Sequence, residues 1–130
     1  MPAPSVATYS PSALIAAHTA FRDLLDAGAG QARMRIRNSV DLLLFTILFT
    51  DPCGTINGTT GQLTLTVAGP DTSAAAGGTA AYVELIDVAG VVQLALPVQT
   101  GTVAVSGVAV LNTLSITLGG TVSALSVLVG

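Results

Sequence analysis

This chain of 130 residues has little charge, few aromatic rings and very few of the side chains that catalysis draws on. Charged residues make up 8% of it, against about 25% in an ordinary globular domain, so Thr, Ser, Gly, Asn and Gln must coat much of the surface. Lysine is missing; the cations are Arg22, Arg33, Arg35 and Arg37, and seven acids bring the formal net charge to -3. A nucleic-acid binder needs a basic field to neutralise phosphates, so direct DNA or RNA binding is disfavoured. One cysteine, Cys53, allows neither an intrachain disulfide nor a thiolate metal cluster. No N-terminal signal peptide is evident, because the first ten residues hold no Lys or Arg and are interrupted by Pro2 and Pro4. The longest apolar stretch, Val40 to Phe49, is broken by Asp41 and Thr46 and is about half of what a membrane-crossing helix requires. These absences describe a soluble chain made in a reducing compartment, with no membrane partner.

What is present is apolar: 51% of the residues are hydrophobic. A weakly charged surface over so much apolar material suits a protein that spends its life packed against neighbours. Residues 1–10 read as an extended arm. Ser10 then offers an N-cap with Pro11 at the first helical position, and Leu14, Ala17, His18, Phe21, Leu24 and Leu25 recur at helical spacing. Gly28 stops the pattern, which places an amphipathic helix over 11–27 in a segment spanning 11–28.

Beyond Gly30 the period falls to two. Arg33, Arg35 and Arg37 alternate with Met34 and Ile36, which puts three guanidinium groups on one strand face. Val40–Thr50 reads as a strand apolar enough to be buried on both faces. Residues 51–61 read as a loop punctuated by Pro52, Gly54, Gly58 and Gly61, and Gly69–Thr79 as another. Leu63–Val67, Ala80–Val88, Val91–Val98, Thr102–Val110, Leu111–Leu118 and Thr121–Val129 complete the strands, with Pro97 marking an edge or a bulge. Seven or eight short strands over 31–130 predict a mainly β domain. A β-sandwich is expected, jelly-roll-like or alternatively immunoglobulin-like, preceded by the arm and the short helix.

The search for chemistry finds little. His18 lies on the Leu14–Phe21 helix face, and the nearest carboxylates, Asp23 and Asp26, are poorly placed for it. Asp26 stands about 80° around the helix at 100° per residue. A packed imidazole is the simpler reading. Cys53 lacks a basic neighbour to lower its pKa and reads as a small buried group. Glu84 and Asp87 point to opposite faces of a strand, and Asp71 suits an Asx turn. Calcium-loop spacing, a phosphate loop and a dinucleotide fingerprint are missing. Asn57-Gly58-Thr59 matches a glycosylation sequon without a secretion signal to give it meaning. The reading is therefore non-enzymatic, with no catalytic, cofactor-binding or metal-ligating residues assigned. The arginine stripe is the informative polar feature, since guanidinium forks suit carboxylates on a neighbouring surface.

The stretch Leu25-Asp-Ala-Gly-Ala-Gly30 leading into Met34-Arg-Ile-Arg37, with Phe49-Thr-Asp-Pro-Cys-Gly54 and Leu111-Asn-Thr-Leu-Ser-Ile-Thr117, resembles small virion proteins encoded by tailed bacteriophages and prophages. The resemblance covers roughly residues 20–118 and departs between Arg37 and Asp51, where a longer, more polar turn belongs. It implies a structural component of the particle, first of all a capsid decoration (cement) protein. Such proteins are small β-domains, often jelly rolls, that sit as trimers on the major capsid protein at the outer surface of the head. The chain would be made in the cytoplasm of the bacterial host. On that reading the helix face of Leu14, His18, Phe21 and Leu25, or the arm before it, docks to the shell or to a sister subunit, and the arginines anchor it. A tail, neck or fibre-associated role is the alternative. A carbohydrate-binding β-sandwich is a third reading, disfavoured by aromatic content of 4% and no Trp.

Overall fold

The computed structural model describes residues 9–69, 73–105 and 107–129; the arm over residues 1–8 and the Asx turn expected at Asp71 lie outside them. Helix α1 runs over Pro11–Asp26 and starts as expected: the Ser10 side chain accepts a hydrogen bond from the Ala13 N–H at 3.2 Å. Nine strands follow among the described residues: β1 (Arg33–Arg37), β2 (Leu43–Ile56), β3 (Leu63–Val67), β4 (Gly78–Thr79), β5 (Tyr82–Ile86), β6 (Val92–Thr100), β7 (Ala109–Leu111), β8 (Ser115–Ile116) and β9 (Ala124–Val129). Seven of them close into a barrel in the order β1-β2-β3-β9-β7-β6-β5, while β4 and β8 form a separate two-stranded sheet. The protein is thus mainly β with one helix. The sheet is closed into a barrel where a sandwich is expected.

Closure depends on two strands that change partners along their length. Residues 43–48 of β2 pair with β1, and from Phe49 onward its partner is β3. β6 pairs with β5 through Pro97, which faces Tyr82, and from Val98 onward it pairs with β7 in the barrel's parallel contact. Strands that bend between faces form corners, and bulges accommodate the turn. In β2 the register skips between Phe49 and Gly54, across a cis Asp51–Pro52 bond. This corrects the loop expected over 51–61, since Asp51–Ile56 continue the strand. Pro52 and Gly54 mark a corner here, and the turn proper is confined to the residues around Asn57, whose Oδ1 accepts from the Thr59 and Thr60 N–H groups at 2.8 and 3.0 Å. Gly54 is required by the closeness of the strands, because a Cβ there would lie 2.3 Å from the Thr64 carbonyl oxygen.

The expected strands over 102–110 and 111–118 shrink to β7 and β8. Their Val-rich texture mimics alternation, but Val103 is 71% exposed, and the Thr113 hydroxyl accepts from the Ser115 N–H in a local turn. Burial of β2 on both faces is partial. Phe45, Ile47 and Phe49 face the core, whereas Leu48 between them is 45% exposed. Leu44 has no partner in β1, because the register moves from Leu43–Arg37 to Phe45–Ile36, and this bulge buries it beside Phe45.

The helix is not a separate segment. Leu25 is fully buried in one cluster with Met34, Phe45, Ile47, Val83 and Leu85 from the barrel. At the other end of α1 the β2–β3 turn approaches so closely that a Cβ on Gly61 would stand 2.5 Å from the Leu14 Cβ; Gly61 also has φ +79°, where glycine is favoured. The helix at 11–28 and the β domain at 31–130 thus share one core. Leu25→Ala should lower the free energy of unfolding by about 2–5 kcal/mol, the usual range for emptying a packed Leu site. Helix and barrel should still unfold in one transition, to be checked by denaturant titration followed by circular dichroism at helix- and strand-sensitive wavelengths.

Candidate functional site: the arginine face of the barrel

Neighbours across antiparallel strands share a face, so the register of four strands maps the outer surface around the arginines. One row reads Leu48–Arg33–Ile86–Val92, the next Thr46–Arg35–Glu84–Ala95, and the third carries Arg37, Tyr82 and Pro97. Met34 and Ile36 between the arginines are fully buried, as the alternation predicts. Three of the chain's four cationic residues thus stand on one face.

The three arginines differ in what they touch. Arg37 is committed within the chain: its Nε donates to the Glu84 carboxylate and its Nη1 to the Asp41 carbonyl oxygen, the latter at 3.0 Å. The bond to Glu84 raises the Arg37 pKa further above its already high value. Tyr82 completes a clamp, donating its hydroxyl to the Asp41 carboxylate at 2.6 Å, and that bond raises the phenol pKa. Asp41 holds its position in the β1–β2 turn at φ +66°, and Asn38 Oδ1 accepts from the Val40 and Leu42 N–H groups beside it.

Arg33 and Arg35 have no hydrogen bond or ion pair among the described residues. Glu84 lies directly across from Arg35 in the register, yet its ion pair is with Arg37 one position along. Both free arginines are half-buried; Arg33 stands between Leu48 and Ile86, whereas Arg35 lies between Thr46 and Glu84. Ile86 opposite Arg33 is fully buried although it stands outside the central core cluster, while Leu48 and Val92 in the same row are each 45% exposed. The charge of Arg33 is therefore set among apolar side chains, and that of Arg35 beside a glutamate that Arg37 already engages. Sequence alternation reveals the stripe, but it does not reveal that Glu84 takes one arginine out of play, nor that Leu48, Ile86 and Val92 share the row of Arg33.

The helix residues expected to dock elsewhere serve the chain itself. His18 Nδ1 lies 2.5 Å from the Gly61 carbonyl oxygen, Phe21 packs against the core, Leu14 meets the β2–β3 turn and Leu25 is buried. Leu24, expected on the same face, is instead 45% exposed.

The remaining chemistry-bearing groups are spread out. Both Asp26 carboxylate oxygens accept from the Cys53 N–H, at 3.0 and 3.1 Å, fastening the helix end to the β2 corner. Burial, reinforced by the Asp26 charge, pushes the Cys53 thiol up to about 12. Among the described residues no three His, Cys, Asp or Glu side chains gather where they could share a metal ion. No helix is long and apolar enough to cross a membrane.

Asp87 caps the β5–β6 turn, accepting from the Val91 N–H at 2.8 Å and from the Gln93 amide at 2.9 Å. The Val91 bond first, then the Gln93 bond, holds its pKa below the usual carboxylate range. Because the folded value is the lower one, this contribution is full above the unfolded pKa of about 3.9 and is lost as pH falls through the folded value. Asp87→Asn should therefore flatten the acid side of the stability curve, checked by denaturant midpoints at about pH 7 and about pH 3. Cys53 should resist a thiol reagent at about pH 8 in the native protein and react at once in denaturant, because the thiolate is the nucleophile; rapid full labelling of folded protein would contradict the placement of the thiol. No protein-family model matches the chain, and neither does any curated protein or solved structure.

Proposed function

We propose that this chain is a non-enzymatic structural protein of a tailed-phage particle, and specifically a capsid decoration protein that binds the major capsid protein lattice at the outer surface of the head. The observation that carries the binding role is the face around Arg33 and Arg35. Unpaired guanidinium groups beside exposed Leu48 and Val92 have the composition of a protein interface, where arginine and apolar side chains are enriched. Its placement on a capsid rests on the sequence resemblance at residues 25–37, 49–54 and 111–117.

In this reading the chain acts as a homotrimer after synthesis in the bacterial cytoplasm. The jelly-roll-like sandwich of decoration proteins corresponds to the two faces of the barrel joined at β2 and β6. Repetition around a symmetric lattice makes modest individual contacts hold firmly. The sparse charge of the chain fits a surface meant to be covered. A sugar-binding role has less support, because Phe45 and Phe49 are buried in the core and the Tyr82 hydroxyl is engaged by Asp41.

Mass spectrometry of separated heads and tails from the source particle tests this directly. The chain is expected in heads at a copy number comparable to the major capsid protein. A few copies in the tail fraction would move it to a tail, neck or fibre role, and absence from both fractions would overturn the particle reading altogether.

A further inference from the structure

The proposed function leaves open what the arginine face recognises, and the structure narrows this. Arg33 and Arg35 are two residues apart on one strand face, so their Cα atoms are about 7 Å apart at 3.3–3.4 Å rise per residue. The strand pairs on both sides, with β2 and β5, which fixes the direction in which both side chains leave the sheet. Arg37 would be a third member of the row, but Glu84 and the Asp41 carbonyl hold it. By engaging Glu84, Arg37 also keeps the carboxylate nearest to Arg35 from neutralising it.

We infer that Arg33 and Arg35 form a two-pronged receptor for a pair of carboxylates on an extended segment of a partner protein, with Leu48 and Val92 covering the apolar margin. This rests on the binding role proposed above and adds the chemistry of the partner. Carboxylates at alternate positions of an extended chain share a face and recur at the same spacing of about 7 Å. Guanidinium forks meet carboxylates with two parallel hydrogen bonds, a geometry that a lysine would not supply.

A second copy of this chain is a poor occupant. Among the described residues Asp23 pairs with Arg22, Glu84 with Arg37, Asp41 with Tyr82, Asp26 with the Cys53 N–H, and Asp87 with Val91 and Gln93. That leaves Asp51 as the one described carboxylate with no such partner, so the described residues of another copy offer no matching pair. Nucleic acid is also a poor occupant, since two free cations on a chain of net charge -3 provide little phosphate neutralisation.

The test uses the full chain, labelled with nitrogen-15 for NMR, and a short synthetic peptide with glutamates at alternate positions between Val and Thr residues. The Nε–H signals of Arg33 and Arg35 should shift on titration while that of Arg37 stays in place, and the shifts should vanish with the Gln-for-Glu peptide and in high salt. The double variant Arg33→Ala/Arg35→Ala should bind at least about tenfold more weakly while keeping the native backbone spectrum, as expected when two charge-assisted contacts are removed. Glu84→Gln should free Arg37 and bring its signal into the response. Unmoved Arg33 and Arg35 signals would overturn the inference, and so would an equal or stronger response to single-stranded DNA or to phosphatidylglycerol vesicles.

Particle binding by the wild-type chain and the double variant separates this inference from the proposed function. Equal binding by both removes the receptor and leaves the decoration role standing. Failure of the wild-type chain to bind removes that role, while the peptide titration still decides the receptor.

Discussion

The fold depends on β2 being one continuous strand that belongs to two faces of the barrel. Its first half carries β1 and its second half carries β3, and the change of partner at Phe49–Gly54 lets a single sheet curve back on itself. A flat strand of that length would leave its unpaired edges open; a bent one hands the ladder from neighbour to neighbour. The same corner supplies the helix with its anchorage. The Cys53 N–H points to Asp26, and the turn that follows β2 brings Gly61 against Leu14 and His18. Leu25 then drops into the core that Phe45, Ile47 and Phe49 line from the strand. Barrel closure, helix docking and core filling therefore rest on one short stretch of backbone.

The same bend governs the outer surface. With its second half paired to β3, β2 leaves its first half to β1, and β1 lies between it and β5, with an apolar or polar neighbour on each side of every arginine. An arginine among such neighbours has two fates. Arg37 finds Glu84 and the Asp41 carbonyl and becomes part of the framework that holds the β1–β2 turn. Arg33 and Arg35 find only Leu48, Ile86 and Thr46 across the strands, plus a glutamate already occupied, and keep their hydrogen-bonding capacity for something outside the described chain. In a protein with 8% charged residues, such concentration of one sign on one face dominates the local field.

Much of this was legible in the residues, and the rest was hidden for definable reasons. Local signals succeeded where the cause is local: Ser10 capping α1, the alternation of Leu63, Leu65 and Val67, and the outward aim of the three arginines all appear in the structure. Pro52 and Gly54 misled, because the same residues that end strands also build corners, and telling these uses apart requires knowing that β3 lies alongside. Residues 102–105 misled in the opposite direction, since alternating Val does not by itself make a strand.

The helix face shows why periodicity alone does not reveal a protein's partners. Leu14, His18, Phe21 and Leu25 present an apolar stripe whether the surface they cover is another molecule or the barrel of the same chain, and the pattern is identical in both cases. Burial assigns part of this stripe: Leu25 is fully enclosed and His18 is bonded to the Gly61 carbonyl, so these two serve the chain itself. Charge is more informative than apolarity, because an unpaired ion is costly to cover without a counter-charge. Any surface that covers Arg33 and Arg35 must bring acceptors for both guanidinium groups. The arginine strand therefore constrains the chemistry of a partner in a way that the helix never could.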